Sequence, residues 1–512
     1  MNSASGTARN PTEVELKFHL PKGSRILLES YPALAIAAPE HHHLVSTYFD
    51  TPERVLDRCG LSLRVRRDGE VWTQTVKSRS DGHGVAASRG EWEWKIHQDV
   101  PELAWLQKTK PLASAAMAIA GRLQPVFITN IRRTTRLIRL DDATTVEVAF
   151  DEGNIEAGSA QEAVSELEIE LKSGALGPLY QLAVALLSTA PLWLMSESKA
   201  SRGWRIRTGQ NEGAHLAQPL KLKRKLSVDT GFRQIFGATM GHLTANIGPT
   251  LRGDPEGLHQ ARIAIREARA VMRLFEQHLD AGSAKRFESS LRLYGEIFGA
   301  ARDWDVFCLE TLPSAMPDLS SERMEDLNAA AEVERQLAHM AVETALKGRE
   351  FSELVLGLVA WSDIDAIEPL QCAAGLLRQR LSALGPSLLD RAARKVLRRG
   401  RHIGRLSETG RHRLRKSLKK LSVDVKALAR FSETKKVKRY RRRCEMLEKI
   451  LGSANDAAVT DRLAHKLAAG GGADLSNPVG ALERWNRVRA SKALNGLGAA
   501  MSDFRNTPVF WT

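Results

Sequence analysis

Apolar and charged residues alternate in several short stretches of the first two hundred residues. In residues 13–18, three charged side chains alternate with three apolar ones. Because successive side chains of a β-strand point to opposite faces, one face of this stretch is charged and the other is apolar. Similar alternation recurs in residues 63–66, 73–77, 91–94, 147–151 and 166–171. The pattern predicts a domain of antiparallel β-strands.

Acidic and basic residues are sorted into different stretches. Residues 166–170 contribute three glutamates, whereas residues 63–66 contribute two arginines. A single alternating stretch is typical of a half-buried strand with a solvated face, but several strands sorted by charge favour a closed barrel with a polar interior. Carboxylates there can hold a divalent cation, and the basic side chains can hold a polyanion. We therefore expect an eight-stranded antiparallel β-barrel with flanking helices.

The pattern changes after residues 208–220, which are polar and aperiodic and which we interpret as a linker. Residues 226–505 are rich in Leu, Ala, Arg and Glu at spacings of three and four, which predicts helices almost throughout. A shift of 153 residues places 259–266 on 412–419 and 297–303 on 450–456. We predict an α+β protein whose all-α domain, residues 221–506, contains two related helical bundles, around 226–380 and 381–506.

Basic residues of each repeat share one face of a predicted helix. At about 100° per residue, those of the first copy fall within an arc of roughly 80°. Acidic residues are almost absent three or four positions away, so the cations repel one another, which favours a binding surface over a solvated face. The basic stripes comprise His259, Arg262, Arg266, Arg269 and Arg273 in the first copy, and His412, Arg415 and Lys419 in the second.

The net charge of +15 belongs to the second part of the chain. Residues 1–215 hold 25 Lys and Arg against 26 Asp and Glu, and residues 216–512 hold 50 against 34, a net of +16. This excess predicts a polyanionic partner for the helical part. Nucleic acid is not favoured, because residues 401–450 hold 18 Lys and Arg but only two aromatic residues on which bases could stack.

Cysteine usage and apolar runs favour a cytoplasmic protein. The four cysteines are far apart in sequence and form no C-x-x-C pair, so neither a disulfide framework nor a zinc site is expected. Residues 1–11 lack the apolar core of a signal peptide. The most apolar run, residues 179–195, is interrupted by Pro191 and is too short to span a membrane.

The strand-like stretches resemble the CYTH domain of the triphosphate tunnel metalloenzymes, over about the first 207 residues. The matching pieces follow the family's order and are residues 13–17, 48–51, 61–66, 74–77, 89–91, 147–153, 166–174 and 198–203. The resemblance implies a tunnel barrel over residues 1–207 that hydrolyses a triphosphate with a bound metal ion. No Ser–His pair or P-loop pattern points to a covalent or Walker-type route.

The predicted site residues combine this resemblance with the chemistry of the side chains. Oxygen ligands suit Mg²⁺ or Mn²⁺, and the expected metal ligands are Glu13, Glu15, Glu166, Glu168 and Glu170. The expected phosphate-binding residues are Lys17, Arg64, Arg66, Lys77, Arg133, Lys199 and Arg202. Among these sets, Lys17, Arg66 and Glu168 are assigned catalytic roles, with Glu168 orienting the attacking water.

The helical part resembles the CHAD domain, through residues 258–275, 301–306 and the helix that begins near His412. This resemblance implies binding of inorganic polyphosphate by the two basic stripes. A CYTH domain followed by CHAD resembles the bacterial inorganic triphosphatases, so inorganic triphosphate is the expected substrate. A non-catalytic polyphosphate-binding scaffold and an enzyme acting on ATP or thiamine triphosphate are the alternatives. We expect a cytoplasmic protein that could associate with polyphosphate granules.

Overall fold

The computed structural model describes residues 12–78, 87–108, 119–319, 324–362, 380–429, 434–470 and 474–511, except 212, 221 and 224. Within these segments, some side chains fall outside the description, among them that of Glu13. The described residues divide into two compact units. The sheet unit comprises Met1–Leu216, Met240–Gly257 and Leu346–Ile364, and the helical unit comprises Ala217–Thr239, Leu258–Ala345 and Asp365–Thr512.

The strands of the sheet unit form one antiparallel sheet of nine strands within the described residues. They are β1 (Thr12–His19), β2 (Glu40–Asp50), β3 (Leu61–Asp68), β4 (Val71–Ser78), β5 (Ala87–Ile96), β6 (Gln124–Arg139), β7 (Thr145–Ala157), β8 (Ala160–Ser173) and β9 (Trp193–Met195). Their order is β5-β4-β3-β2-β6-β7-β8-β1-β9, and β1 also pairs with β5 from Thr12 to Glu15. The antiparallel sheet is confirmed, with nine strands where eight were predicted.

The alternating pattern places apolar and charged side chains on opposite faces of β1, β7 and β8. Leu16, Phe150 and Ile169 are fully buried on the apolar face. The charged positions between them are buried as well: Glu166 and Asp151 have no exposed surface. The charged face is therefore not the solvated face of an ordinary amphipathic strand, because ionised groups are rarely buried unless they are paired.

Six helices are interspersed with these strands in the described sequence. They are α1 (Ser24–Glu29), α2 (Pro32–Ile36), α3 (Val55–Arg58), α4 (Leu103–Lys108), α5 (Leu176–Thr189) and α6 (Lys199–Thr208). Helix α6 begins where the Ser198 hydroxyl accepts a hydrogen bond from the Ser201 amide, a typical N-cap. It packs on β6, β7 and β8 and so directs its first residue, Lys199, to the charged positions of the sheet.

The remainder of the described chain is helical, as the sequence predicts. The helices are α7 (Val228–Ala245), α8 (Ile247–Leu251), α9 (Pro255–Leu274), α10 (Ala281–Val306), α11 (Leu312–Ala315), α12 (Met324–Lys347), α13 (Arg349–Ala360), α14 (Leu381–Arg399), α15 (Glu408–Ala429), α16 (Lys435–Ala469), α17 (Ser476–Leu494) and α18 (Leu497–Arg505). None of the described helices combines the length and the hydropathy needed to cross a bilayer.

Two pairs of helices follow the 153-residue offset of the sequence repeat. Helices α9 and α15 begin at Pro255 and Glu408, and α10 and α16 begin at Ala281 and Lys435. The arrangement of the repeats as two bundles stays a prediction. Helix α13 belongs to the sheet unit, where the Ser352 hydroxyl accepts a hydrogen bond from the Leu194 amide at 2.9 Å.

Candidate functional site

Three buried carboxylates on neighbouring strands form the carboxylate cluster of the sheet unit. Asp151 on β7 lies opposite Glu166 on β8, and Glu168 follows two residues later on the same face. One oxygen of each lies within 4.8 Å of the others. Burial and mutual repulsion disfavour the charged forms of these three carboxylates. They would therefore be protonated unless cations lay beside them.

Four cations surround the carboxylate cluster. The ammonium of Lys199 lies 2.7 Å from Asp151, 2.5 Å from Glu166 and 2.9 Å from Glu168. The Arg133 guanidinium donates to both oxygens of Asp151, at 2.7 and 2.6 Å, and to Glu168 at 2.5 Å. Bidentate bonds of this kind are the strongest that a carboxylate accepts in proteins.

The other two cations extend the cluster along β1 and α6. Lys17 donates to Glu168 and, at 3.0 Å, to Glu15. Arg202 donates to Glu166, to Glu162 at 2.7 Å and to the Ala163 carbonyl at 2.6 Å. The Arg202 guanidinium is therefore engaged on several sides by β8.

These cations keep the cluster ionised. Burial alone would raise the pKa of Glu168, but Lys17, Lys199 and Arg133 hold it well below its usual range. Burial likewise raises the pKa of Asp151, but Lys199 and Arg133 lower it by more, so its pKa lies below the ordinary value. Burial lowers the pKa of Lys199, yet the three carboxylates more than offset this and raise it well above its ordinary value.

Arg66 on β3 differs from the cations of the cluster, because its hydrogen bond is to the neutral Ser46 hydroxyl, at 3.1 Å. Among the described residues, no carboxylate lies within ion-pair distance of its guanidinium. Burial, followed by the charges of Arg64 and Arg133, lowers the pKa of Arg66 to about 9. An uncompensated guanidinium beside other cations favours an anionic ligand.

Arg64, two residues before Arg66 on β3, and Lys77 on the neighbouring β4 share one carboxylate. The Arg64 guanidinium lies 3.7 Å from Glu91, and the Lys77 ammonium lies 3.0 Å from the same oxygen. Tyr48 lies opposite Arg64 on β2. Burial would raise the pKa of Tyr48, but Arg64 and Arg66 lower it overall. These cations therefore create a positive potential on their side of the site.

The carboxylate cluster meets the requirements of a hard divalent cation. All three donors are oxygens, and they are close enough to bind one ion, since opposite ligands of Mg²⁺ at about 2.1 Å are about 4 Å apart. A positively charged group, the Lys199 ammonium, is already accommodated between them. Mg²⁺ and Mn²⁺ fit this donor set better than softer metals do.

The basic stripes of the helical unit lie on α9 and α15, and their charges act on each other. Burial, followed by Arg415, Arg266 and Arg262, lowers the pKa of Lys419 to about 8. Burial and the neighbouring Arg262 likewise lower the pKa of Arg266. Because the cations of α9 act on Lys419 of α15, the two stripes converge on one basic surface.

Part of each stripe is tied to neighbouring helices. Arg269 donates to Glu288 of α10 at 2.8 Å, and Arg273 lies 3.6 Å from the same residue. Arg262 lies 3.3 Å from Asp303, and Arg415 donates to Asn455 at 2.9 Å. The stripes have almost no acidic residues three or four positions away in sequence. Helix α10 instead supplies acidic partners for Arg262, Arg269 and Arg273.

Two protein families match this chain. Residues 11–204 match the CYTH domain and residues 234–465 match the CHAD domain. A CYTH match is thus followed by a CHAD match along the chain. The chain is 32% identical, over 200 residues, to an inorganic triphosphatase of Haemophilus influenzae. That alignment covers 39% of this chain and 56% of the relative, so the chain spans little more than half the length of the curated protein it matches.

Solved structures are also similar to parts of this chain. The CHAD domain of the plant Ricinus communis has a TM-score of 0.51 at 22% identity, covering 58% of this chain and 98% of that one, which supports the helical fold. A putative adenylyl cyclase from Hippeastrum with a dominant triphosphatase activity has a TM-score of 0.29 at 19% identity, covering 39% of this chain and 97% of that one.

The predicted CYTH residues are only partly brought together. Lys17, Arg133, Lys199, Arg202, Glu166 and Glu168 meet at the carboxylate cluster. Glu15 reaches it through Lys17, and the side chain of Glu13 lies outside the described residues. Glu170 lies apart from the cluster, where Lys172 binds it at 2.9 Å and also lies 3.4 Å from Glu147.

Asp151 is the CYTH site residue that the sequence analysis did not assign. It lies in the alternating stretch 147–151, opposite Arg133 on β6 and Glu166 on β8. The alternation places Asp151 on the charged face, but Ala149 interrupts the acidic series, so the stretch gave no reason to prefer Asp151 over Glu147. Asp151 is buried and Glu147 is partly exposed, and this difference depends on the register between strands.

Proposed function

We propose that the CYTH domain hydrolyses inorganic triphosphate to diphosphate and phosphate with the help of Mg²⁺ or Mn²⁺. The observation that carries the proposal is a buried carboxylate cluster in one site with the guanidinium of Arg66, which Tyr48 and Asp151 compensate only in part and which has no ion-pair partner among the described residues. Carboxylates without a metal repel a polyphosphate, and arginines without carboxylates cannot hold the metal. The combination suits a metal–triphosphate complex. The CYTH relative that bears the name inorganic triphosphatase supports this substrate class.

The substrate would lie in a tunnel enclosed by eight strands. Strand β1 pairs with β8 along one edge and with β5 along the other, and these pairings support closure of the sheet into a barrel. Charged side chains of successive strands stand opposite one another, as in the pairs Lys17 with Glu168 and Lys77 with Glu91. Their burial is expected for the interior of a small barrel, whose inward-pointing positions alternate with outward ones.

Asp151, Glu166 and Glu168 would hold the metal, together with Glu15 and Glu13 from β1. When bound, the ion supplies positive charge to the phosphate oxygens and makes a bound water more acidic. Glu170 is a weaker candidate ligand, because its carboxylate lies beside Lys172 and Glu147.

Arg66, Arg64 and Lys77 would hold the phosphates. The Arg66 fork is the most available, because it bonds only to the Ser46 hydroxyl among the described partners. Arg64 can exchange its long contact with Glu91 for a phosphate oxygen. Fixed cations aimed at oxygens that gain charge in the transition state lower the barrier by electrostatics and positioning.

Glu168 would orient the attacking water instead of removing its proton. Its pKa lies well below the usual range because Lys17, Lys199 and Arg133 more than offset the effect of burial. A carboxylate of low pKa is a poor proton acceptor at neutral pH, since general bases work best with a pKa near the operating pH. An ionised carboxylate that would share the metal with Asp151 and Glu166 is nevertheless suited to accept a hydrogen bond from a water and hold it in line with the bond to be broken.

Phosphate release from several substrates tests the proposed activity. The full chain is assayed with inorganic triphosphate, ATP, thiamine triphosphate and long polyphosphate, each with Mg²⁺, with Mn²⁺ and with EDTA. We expect inorganic triphosphate to be preferred and EDTA to abolish release. Preference for ATP or thiamine triphosphate would assign an organic triphosphate, and no release from any substrate would favour a non-catalytic scaffold.

The CHAD domain is proposed to bind inorganic polyphosphate on the surface formed by α9 and α15. The proposal is supported by the lowered pKa values of Lys419 and Arg266, for which burial is the largest cause and neighbouring cations are the next. Binding of a polyanion would relieve the repulsion between these cations. Such binding would account for an association with polyphosphate granules. Titration of the full chain with long polyphosphate, with single-stranded DNA as competitor, tests it: displacement by DNA at equal phosphate concentration would indicate a general polyanion surface.

A further inference from the structure

Lys199 occupies a position that the metal would need. Its ammonium lies 2.7, 2.5 and 2.9 Å from one oxygen each of Asp151, Glu166 and Glu168. An ammonium group has three N–H donors. This one donates hydrogen bonds to Glu166 and Glu168 and forms an ion pair with Asp151, so in this arrangement it is held by the carboxylates.

A metal ion bound by these oxygens would compete with the Lys199 ammonium for them. A cation at the centre of the three carboxylates would lie at the ammonium's position, and the two positive charges would repel each other. Arg133 and Lys17 contact the cluster from other sides and fill its centre less completely, since each bonds to fewer of the three carboxylates. Lys199 is therefore the cation that must move.

We propose that Lys199 is an exchangeable counter-ion, which neutralises the carboxylate cluster in the metal-free protein and is released toward the triphosphate when a divalent cation binds. This inference rests on the proposed function of the site. The released ammonium would hold a phosphate oxygen, and a phosphate that holds it would keep it from returning to the carboxylates. Metal and triphosphate would then each strengthen the binding of the other, by the same factor.

Equilibrium binding of Mn²⁺ to the full chain, followed by electron paramagnetic resonance, tests the exchange without turnover. The variant is Lys199→Gln, which removes the charge and keeps most of the length. If the ammonium fills the site in nine of ten metal-free molecules, its removal should tighten Mn²⁺ binding about tenfold. Unchanged or weaker binding in Lys199→Gln would overturn the proposal.

Lys172→Gln is the matched control. Lys172 also lies between two carboxylates, at 2.9 Å from Glu170 and 3.4 Å from Glu147, but outside the carboxylate cluster. We expect its Mn²⁺ affinity to stay within about twofold of the wild type, because an exposed ion pair contributes little. If only Lys172→Gln bound Mn²⁺ more tightly, the metal would belong to Glu170 and the proposal would be wrong.

The reciprocal effect supplies a second readout. A non-hydrolysable imido analogue of triphosphate should tighten Mn²⁺ binding in the wild type, and this gain should shrink in Lys199→Gln. An equal gain in both proteins would show that Lys199 does not couple the two ligands. Failure of the wild type to hydrolyse triphosphate would refute the proposed function alone, because both titrations are made without turnover.

Nuclear magnetic resonance of ¹⁵N-lysine-labelled wild type does not depend on how the variant folds. A buried ammonium held by three carboxylates should exchange its protons slowly and give a distinct signal in EDTA. Addition of Mg²⁺ should move or remove this signal. If Lys199→Gln folds, the absence of the signal from its spectrum assigns the signal to Lys199. A signal that saturating Mg²⁺ leaves in place would contradict the exchange.

Discussion

The cations of the sheet unit and those of the helical unit have different neighbours. Lys199 and Arg133 lie among carboxylates, which raise their pKa values in spite of burial. Lys419 and Arg266 have lowered pKa values, first through burial and then through neighbouring cations. The first set is neutralised before any ligand arrives. The second remains repulsive until a polyanion neutralises it, and a long anion must be able to reach it.

Arg66 belongs to the sheet unit but has a lowered pKa, like Lys419 and Arg266 of the helical unit. Burial and the charges of Arg64 and Arg133 lower the pKa of Arg66 to about 9. The sheet unit thus contains both kinds of cation, compensated ones at the carboxylate cluster and an uncompensated one on β3. We interpret the boundary between them as the place where a metal–triphosphate complex binds.

The largest effect on activity is expected when a member of the carboxylate cluster is changed. Glu168→Gln should lower kcat for triphosphate by about 10² to 10³, the usual loss when one preorganised electrostatic group is removed. It also leaves Lys17, Lys199 and Arg133 with fewer partners, so the free energy of unfolding in EDTA should fall by about 3 kcal/mol. Glu147→Gln, on the same sheet but outside the carboxylate cluster, is the control. Wild-type kcat in Glu168→Gln would exclude this residue from the site.

A smaller loss is expected for the uncompensated cation. Arg66→Gln removes charge-assisted hydrogen bonds of about 1.5–3 kcal/mol, so kcat/KM for triphosphate should fall about tenfold or more. Arg67→Gln is the control, because the adjacent side chain points to the other face of β3 and lies over Trp72. Steady-state kinetics measure both. Equal kcat/KM values in the two variants would place Arg66 outside the substrate site.

Polyphosphate binding by the basic stripes of the helical unit should depend on the salt concentration. Arg266→Ala combined with Lys419→Ala removes two polyanion contacts and should reduce the slope of log Kd against log salt by roughly 1.4, at about 0.7 per contact. Arg292→Ala is the control, since Arg292 lies on α10 beside Glu296 and outside the stripes. Titrations with long polyphosphate at several salt concentrations measure the slope. An unchanged slope in the double variant would exclude both residues from the binding surface.

The smallest effect should be a pH dependence. Lys419, with a pKa of about 8, loses its charge as the pH rises past 8, so polyphosphate affinity should fall about threefold by pH 9.5, the size of one contact of ~0.7 kcal/mol. Lys419→Arg should flatten this dependence, because arginine keeps its charge. Affinity that falls equally in both proteins would assign the titration to another group.

The same shift affects folding in the opposite direction. Above about pH 8, folded Lys419 releases its proton while the unfolded chain still binds one up to the usual lysine pKa. The unfolded state then binds more protons, so this residue's contribution to stability should rise with pH in that range. Chemical unfolding of wild type and Lys419→Arg at pH 7 and 9.5, without polyphosphate, measures it.

The strands and their charged faces could be predicted because alternation is a local property. Residues 13–18 and 166–171 become parts of β1 and β8, with Leu16, Phe18, Leu167 and Ile169 buried. Membership of the carboxylate cluster could not be predicted, because it depends on register between strands. A register two residues different would exchange Glu170 for Glu166 on β8, and Ala149 for Asp151 on β7.

The helical unit shows the same limit. The spacing of Arg262, Arg266 and Arg269 predicts one face of one helix, and α9 confirms that helix. Glu288 belongs to another helix, and no local spacing connects it with Arg269. Sequence periodicity therefore indicates which side chains share a face, whereas their ionic partners depend on packing between helices.

The proposed activity is tested most directly by following inorganic triphosphate by ³¹P nuclear magnetic resonance in the presence of the full chain and Mg²⁺. We predict that triphosphate signals are replaced by those of diphosphate and orthophosphate in equal amounts. The conversion should stop on addition of EDTA and be nearly absent in Glu168→Gln. Stable triphosphate signals with the wild type, or an equal rate in Glu168→Gln, would contradict a metal-dependent triphosphatase site at the carboxylate cluster.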